Sequence, residues 1–451
     1  MDNFEDKAKA FETESISRLL YKYSLPAIVG IMVNAIYNIV DRIFIGQGVG
    51  SLAISGLAIT FPIVILQAAF GMLIGIGGST RISIALGQKD KEKAERILGT
   101  SIILSVFFSL LFICSAFYWL DDILRWFGGT EKTIPFAREY MQILIPGSIF
   151  STLTYSFNNM MRASGYPTKA MVVMLISAVL NAILAALFIF VFHWGIKGAA
   201  IATVIAMFTT SVVVMHHYCS KSSYIRFHRK NIRLDMDIAK HIISIGLSPF
   251  LMNVASCMVN VILNNALLKH GGELAIGANG VINSLAVLVV MGVIGFCQGM
   301  QPIIGYNFGA GNRQRMKQTL SLTIRVASLV TLCGFAMAML IPKQIAMAFT
   351  TDPKLIELSV LGLRTTLLLM PIIGFQIVTS SFFQSIGLVK VSIFLSLSRQ
   401  VLFLIPMILI LPNFYGLKGV WMATPFADFI SATLTLCILY YNRKLFAPQA
   451  A

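Results

Sequence analysis

Twelve apolar stretches of about 20 residues or more follow one another along this chain of 451 residues. An α-helix needs roughly 20 apolar residues to cross the ~30 Å hydrocarbon core of a bilayer, so each stretch predicts one membrane-spanning helix. Charged residues make up only 12% of the chain, whereas soluble domains contain about a quarter. The sequence therefore predicts an all-α integral membrane protein. The predicted spans cover residues 23–46, 53–80, 98–120, 136–161, 168–192, 197–218, 242–268, 276–306, 319–342, 358–384, 391–411 and 416–440.

The two halves of the chain repeat each other. The sequence GIKGAAIAT at Gly195–Thr203 returns as GLKGVWMAT at Gly416–Thr424, and Asn38 returns about 222 residues later as Asn260. Many secondary transporters place a central site between two repeated lobes that rock against each other, so the repeat favours a transporter. Channels and scaffold proteins also contain repeats, and the repeat alone leaves those classes open.

Basic residues are concentrated in alternate loops. They follow the even-numbered spans and fill the polar stretch from Ser220 to Lys240, whereas the loops after odd-numbered spans contain few of them. By the positive-inside rule, both termini and this stretch are cytoplasmic. Because each half holds an even number of spans, the two lobes run in the same direction, related by a pseudo-two-fold axis along the membrane normal. The predicted organisation is an N-terminal lobe over residues 1–219, a cytoplasmic linker over 220–241 and a C-terminal lobe over 242–451.

Several classes of function are disfavoured. The formal net charge is +16, but the basic residues lie in short loops rather than in a basic domain, so nucleic-acid binding is not expected. The six cysteines lie within spans or at a cytoplasmic end and predict no disulfide framework. The sequence has no phosphate-binding Gly-x-x-x-x-Gly-Lys-Ser/Thr motif and no group of His, Asp or Glu within the spans that suits a reaction centre. We therefore expect no enzyme activity, no metal site and no cofactor.

Asp41 is the most informative ionisable residue, because charges inside apolar spans are costly and usually functional. It lies about eighteen residues into the first span, and Tyr37 and Asn38 lie about one turn earlier on nearly the same helical face. We interpret Asp41 as a functional acid, with Asn34 and Asn38 as candidates for lining a substrate cavity. The alternative is that Asp41 pairs with Arg42 near the outer interface and only anchors the helix. Consecutive residues diverge around a helix, which weakens this alternative.

Four polar residues within the predicted C-terminal spans are further candidates for a site. Asp428 in the last span and Arg399 in the eleventh can pair with each other, which would remove the cost of either charge alone. A structural pair and an ion-coupling site are both open. Gln298 and Gln301 offer neutral hydrogen bonds within the eighth span, where they either line a hydrophilic cavity or hold helices together.

The chain resembles the multidrug and toxic compound extrusion (MATE) transporters over essentially its whole length. Four segments carry the likeness: Tyr37–Gly46, the glycine-rich second span that closes with Ser83–Gly87, Arg162–Pro167 and Gly198–Thr203. The sequence QPIIGYNFG at 301–309 is similar to the branch that includes MepA-like and DinF-like bacterial proteins. The resemblance implies two six-helix lobes around a central cleft. It also implies export of organic cations, coupled to the inward flow of protons or sodium ions.

The resemblance further implies an ion-coupling site in the N-terminal lobe. Asp41, Asn181 and Thr203 match the family's aspartate, asparagine and threonine, and Tyr37 and Tyr140 match aromatic hydroxyls that line the same pocket.

This chain departs from the family pattern at two places. Many relatives carry a second aspartate and a proline in the fifth span, where this chain has Ala185 and Ala186. The carboxylate that some relatives carry in the seventh span is also absent, and Ser256, Cys257 and Met258 occupy that region. A desolvated sodium ion prefers several oxygens and fixed negative charge, whereas a proton needs one buried carboxylate. We therefore expect protons as the coupling ion, with sodium still open.

The sequence thus predicts a secondary active exporter of organic cations and drugs. We expect a monomer with both termini cytoplasmic, which passes many times through the cytoplasmic (inner) membrane of a bacterium and contacts its lipids. Two alternatives stay open. A flippase for lipid-linked precursors shares the superfamily architecture but needs a cationic central cavity, for which Arg399 is the main candidate. A non-transporting receptor or scaffold does not need paired lobes with a buried Asp41.

Overall fold

The computed structural model describes residues 10–446, and within that range the chain folds into helices without any β-strand. The α-helices are α1 (Ile16–Gly48), α2 (Ser51–Gly87), α3 (Lys91–Tyr118), α4 (Leu120–Trp126), α5 (Ile134–Ala163), α6 (Pro167–Ala186), α7 (Gly195–Cys219), α8 (Met236–Gly309), α9 (Arg313–Leu340), α10 (Pro342–Met347), α11 (Pro353–Thr366), α12 (Met370–Ser385), α13 (Val389–Leu397), α14 (Ile405–Ile410) and α15 (Pro412–Tyr441). Stretches of π-helix, Leu187–Val191 and Ser398–Leu404, follow α6 and α13. Two 3-10 helices lie at Arg229–Asn231 and Asn442–Phe446.

These helices account for the twelve predicted spans. Nine helices between residues 10 and 446 are long and apolar enough to cross a membrane. One of them, α8, is 74 residues long and holds the seventh and eighth spans, because Gly272 leaves the helical conformation (φ 67°, ψ −166°) and breaks it. Helices α11 and α12 meet at a bend of 53° and form the tenth span, and the 30-residue α5 coincides with the fourth. The predicted all-α membrane fold is confirmed.

The chain divides into two compact units, each with its own apolar core. The first unit is Val29–Phe250, and the second consists of Phe11–Ile28 and the chain from Leu251 onward. Ile45 and Leu144 are among the buried side chains of the first core, and Leu363 and Trp421 are among those of the second. The units follow the two predicted lobes except at two places. The beginning of α1 belongs to the second unit, and the linker with the beginning of α8 belongs to the first.

Glycines at equivalent positions of the repeat explain both exchanges. In the first unit, Gly77 of α2 lies so close to Ile242 of α8 that a Cβ atom would collide with the Ile242 carbonyl group. In the second unit, Gly299 of α8 lies equally close to Ser24 of α1. Small residues allow membrane helices to approach closely. This close packing stabilises their association, because moving an apolar side chain from lipid into protein contributes little free energy. Each glycine therefore fixes the beginning of a helix to the unit that contains the glycine.

The close approach of α2 and α8 predicts that Gly77→Val destabilises the protein. The obstacle is a backbone carbonyl that cannot rotate away, and overpacking of this kind typically costs about 1–3 kcal/mol. Gly280→Val is the matched control, because nothing lies within 4 Å of a Cβ atom at that position. Thermal unfolding in detergent measures both effects. Equal unfolding temperatures for Gly77→Val, Gly280→Val and the wild type would contradict the close approach.

Candidate functional site

A cavity of about 150 Å³ lies in the first unit, with walls from α1, α2, α5 and α7. A water molecule takes up about 30 Å³ in the liquid, so the cavity holds a few waters or a small ion. Pockets for drug-sized molecules measure about 300–1,000 Å³, which excludes such a molecule from fitting entirely inside it. The polar residues of the lining are Tyr37, Asn38, Asp41, Arg42, Thr60, Gln67, Tyr140, Ser151 and Thr203.

Asp41 contributes a buried carboxylate to this cavity, with only 8% of the residue exposed. Its Oδ1 atom has no hydrogen-bond partner among the described residues. The neighbouring Arg42 is exposed, and its Cζ atom lies 5.7 Å from the centre of the Phe61 ring, a cation–π geometry. Residues 10–446 contain no ion pair between Asp41 and Arg42. The structure therefore does not contain the Asp41–Arg42 ion pair on which the alternative interpretation of Asp41 as a helix anchor depends.

Thr203 connects the other predicted site residues. Its Oγ1 atom accepts a hydrogen bond of 3.0 Å from Nδ2 of Asn181 and donates one of 3.0 Å to the Ala199 carbonyl group. Tyr37 and Tyr140 line the same cavity as Thr203. Asn181 is buried, and its Oδ1 atom has no partner within residues 10–446. Of the five residues predicted for ion coupling, four line the cavity, and the fifth, Asn181, is hydrogen-bonded to one of them.

The position that lacks the family's second carboxylate lies outside this cavity. Ala185 is one turn after Asn181 on α6, is completely buried and packs in the apolar core that contains Ile45 and Ala199. Among the described residues, Asp41 is therefore the only carboxylate in the cavity wall.

Two buried polar residues of the wall were missed by sequence reasoning. Thr60 and Gln67 both lie on α2, and both are buried. A buried glutamine in an apolar span is itself unusual, so Gln67 could have been suspected from the sequence. Nothing in the sequence indicates that Gln67 lines the same cavity as Asp41.

The other substrate candidates divide between the two units. Asn34 and Asn38 are exposed on α1, and Nδ2 of Asn38 donates a hydrogen bond of 2.7 Å to the Asn34 carbonyl group. Asn38 lines the cavity, whereas Asn34 does not. Gln298 and Gln301 are partly buried on α8 in the second unit and are not among the residues that line this cavity. Oε1 of Gln298 has no partner in the described part of the chain.

Arg399 and Asp428 form an ion pair in the second unit. Nε of Arg399 lies 2.6 Å from Oδ1 of Asp428, and the Asp428 side chain is only 1% exposed. Arg399 lies in the π-helical stretch Ser398–Leu404, a geometry often found at functional sites. In the same stretch, Nε2 of Gln400 donates a hydrogen bond of 3.0 Å to Oγ of Ser256. The pair belongs to a polar cluster of its own and does not line the Asp41 cavity.

Repeated helical units that contain polar sites within the membrane are common in transporters. The family model described as MatE matches residues 26–187 and 246–410, and the chain belongs to this family. The resemblance seen in the sequence is thereby confirmed, and the protein is a multi-pass membrane protein of the transporter class.

Known proteins resemble the chain over nearly its full length. The multidrug export protein MepA of Staphylococcus haemolyticus (strain JCSC1435) is 27% identical over 434 residues, which cover 96% of this chain and 95% of that protein. A solved structure of the MATE multidrug transporter DinF-BH is 37% identical, with a TM-score of 0.90 and coverage of 96% of this chain and 97% of that one. A MOP superfamily transporter from Pyrococcus furiosus has a TM-score of 0.91 at 23% identity over 98% of both chains, and it shares the fold.

The Arg399–Asp428 pair predicts non-additive effects on stability. Arg399→Met or Asp428→Leu alone leaves a buried charge without its partner, which typically costs about 3–5 kcal/mol. The double variant removes both charges and is expected to be milder than either single change. Thermal unfolding of the four proteins in detergent measures the coupling. A double variant as unstable as the sum of the two single variants would contradict the pairing.

Proposed function

We propose that this protein is a secondary active exporter that exchanges organic cations and drugs for protons by alternating access of its repeated lobes. The observation that carries the proposal is the isolated Asp41 carboxylate, buried in a cavity of about 150 Å³ with one oxygen lacking a partner among residues 10–446. The names of the relatives, a multidrug export protein and a multidrug transporter, support the substrate class.

One carboxylate gives a direct route to exchange. The ionised Asp41 attracts a cation, and a proton bound to the same oxygen removes that attraction. Binding of the cation and binding of the proton therefore oppose each other, and this coupling acts equally in both directions. Arriving protons release the cation on one side of the membrane, and loss of the proton restores affinity for the cation on the other side.

The size of the cavity supports a role in binding the coupling ion rather than the whole substrate. A cavity of about 150 Å³ does not hold a drug-sized molecule. A cationic group can still approach Asp41 from the exposed side of α1, where Asn34 and Asn38 lie. The phenol rings of Tyr37 and Tyr140 and the ring of Phe61 add aromatic surface to this wall, which suits organic cations.

Protons suit the site better than sodium ions. A sodium ion needs several oxygens at short range and gains most from more than one fixed charge, but Asp41 is the only carboxylate in the described wall. Thr203 accepts a hydrogen bond from Asn181, which leaves one lone pair of its hydroxyl oxygen for an ion. A proton on Asp41 needs no further ligand, and it removes the cost of a buried charge.

The remaining features complete the proposal. Basic loops after the even-numbered spans support a cytoplasmic location for both termini and the linker in a bacterial cell. The repeat supplies both lobes within one chain, so we propose a monomer that works in the cytoplasmic membrane in contact with lipids. It uses no cofactor and catalyses no reaction.

Asp41→Asn is expected to abolish coupled export. The amide has nearly the same size as the carboxylate but can neither release a proton nor carry charge. Dye accumulation in cells at matched expression measures export, and thermal unfolding verifies the fold. Asp122→Asn is the control, since Asp122 is an exposed carboxylate on α4. Export by Asp41→Asn at the rate of the wild type would refute the assignment of Asp41.

The coupling ion is tested separately in proteoliposomes that contain a fluorescent organic cation. We expect dye movement when a proton gradient is imposed without sodium, and no movement when a sodium gradient is imposed at equal pH on both sides. Vesicles that contain the Asp41→Asn variant measure the leakage of dye that does not depend on coupled export. Dye movement under the sodium gradient alone would show that sodium, and not the proton, is the coupling ion. The assignment of Asp41 as the coupling residue would be unaffected.

A further inference from the structure

Helices α3 and α9 occupy equivalent places in the repeat and can be compared position by position. Both are 28 residues long. Asp90 precedes α3 and its Oδ1 atom accepts a hydrogen bond of 2.9 Å from the Lys93 backbone N–H group. Asn312 precedes α9 and its Oδ1 atom accepts one of 3.2 Å from the Arg315 backbone N–H group. Because both helices begin with the same kind of N-cap, the caps fix which position of α3 corresponds to which position of α9.

The outer face of α3 is covered by the linker of the first unit. Glu95 is buried, and one of its carboxylate oxygens lies 3.5 Å from Nδ2 of Asn231 and 3.5 Å from Nε2 of His228. At Gly99, one turn further on, a Cβ atom would collide with the Asn231 carbonyl group. An acidic residue and a glycine on α3 therefore hold a basic segment of the chain.

The equivalent face of α9 has the opposite charge and, among the residues described, borders a cavity. Lys317 stands at the position of Glu95, and Ser321 at that of Gly99. The face borders an open cavity of about 420 Å³, whose lining residues all lie on α9 and which reaches Arg325, two turns beyond Lys317. Within the described residues 10–446, the side chains of Lys317 and Arg325 have no hydrogen bond and no ion pair. The residues that line this cavity are Gln314, Lys317, Gln318, Ser321, Leu322 and Arg325.

We propose that this α9 cavity binds the headgroup of an anionic phospholipid of the cytoplasmic leaflet, with Lys317 and Arg325 on its phosphate. The two cations are exposed and lie on one helical face with the amides of Gln314 and Gln318 and the hydroxyl of Ser321. These groups donate hydrogen bonds to phosphate oxygens, and charge-assisted bonds of this kind are strong. Basic pockets on the cytoplasmic side of membrane helices suit anionic headgroups.

The depth of Arg325 favours a lipid over a soluble anion. It lies twelve residues after the first residue of α9, which is about 18 Å along the helix. This helix is apolar enough to cross a membrane, and an exposed arginine within such a span is costly unless its charge is compensated. A lipid brings its phosphate to this level together with acyl chains that cover Leu322. A soluble phosphate ion would have to leave water to reach the same place.

The test is native mass spectrometry of the intact protein in detergent, titrated with phosphatidylglycerol, phosphatidylcholine or inorganic phosphate, with thermal unfolding of the same samples. We expect wild-type protein to retain phosphatidylglycerol in preference to phosphatidylcholine and to be stabilised by it, and to be unaffected by inorganic phosphate. Lys317→Gln with Arg325→Gln should weaken phosphatidylglycerol binding about tenfold or more. The charge-conserving pair Lys317→Arg with Arg325→Lys should retain it.

The control removes the same charge elsewhere in the second unit. Lys343→Gln with Lys354→Gln changes two exposed lysines outside α9 and should leave lipid binding unchanged. Equal phosphatidylglycerol binding by the wild type and the Lys317→Gln, Arg325→Gln variant would overturn the proposal. So would equal retention of the two lipids, or stabilisation by inorganic phosphate alone. None of these results depends on transport activity. The proposed lipid site can therefore be contradicted while the proposed export function stands, and the export function can be contradicted while the lipid site stands.

Discussion

The hydrocarbon core of a membrane offers no hydrogen-bond partners, and the rest of this structure depends on that constraint. Every backbone amide in the spans must be satisfied within the chain, which leaves helices as the available structure. Because lipid is as apolar as a leucine side chain, helices associate through close contact rather than through burial. Gly77 and Gly299 supply such contacts at equivalent places in the two units. Polar side chains in the spans are then the exception, and each group of them calls for a physical reason.

Two groups of polar side chains stand out, and they solve the problem of buried charge differently. In the second unit, Arg399 and Asp428 neutralise each other across 2.6 Å. In the first unit, Asp41 forms no ion pair among the described residues, and the neighbouring Arg42 lies over Phe61. This difference is why the proposed exchange of protons and cations centres on Asp41.

The sequence predicts the spans and the repeat well, because both depend on long apolar runs and on residues that recur at a fixed offset. It also leads to the Asp41, Asn181 and Thr203 cluster, although the latter two entered through the family resemblance. It does not predict that the beginning of α1 belongs to the second unit and the beginning of α8 to the first. That arrangement depends on which glycine contacts which backbone. Nor does it predict the cavity wall from α2, because Gln67 looks like any other polar residue in a span until its neighbours are known. Ala185 illustrates the same limit, since its burial in apolar core becomes visible only in three dimensions.

The central claim is that a cation and a proton compete for the Asp41 carboxylate, and proton release on binding tests it most directly. The purified protein in weakly buffered detergent solution is mixed with an organic cation, and a pH indicator records the protons released. The account predicts the release of up to about one proton per bound cation for the wild type near the pH at which the site titrates, and none for Asp41→Asn. Saturating cation binding to the wild type without proton release at any pH, or equal release by both proteins, would contradict it.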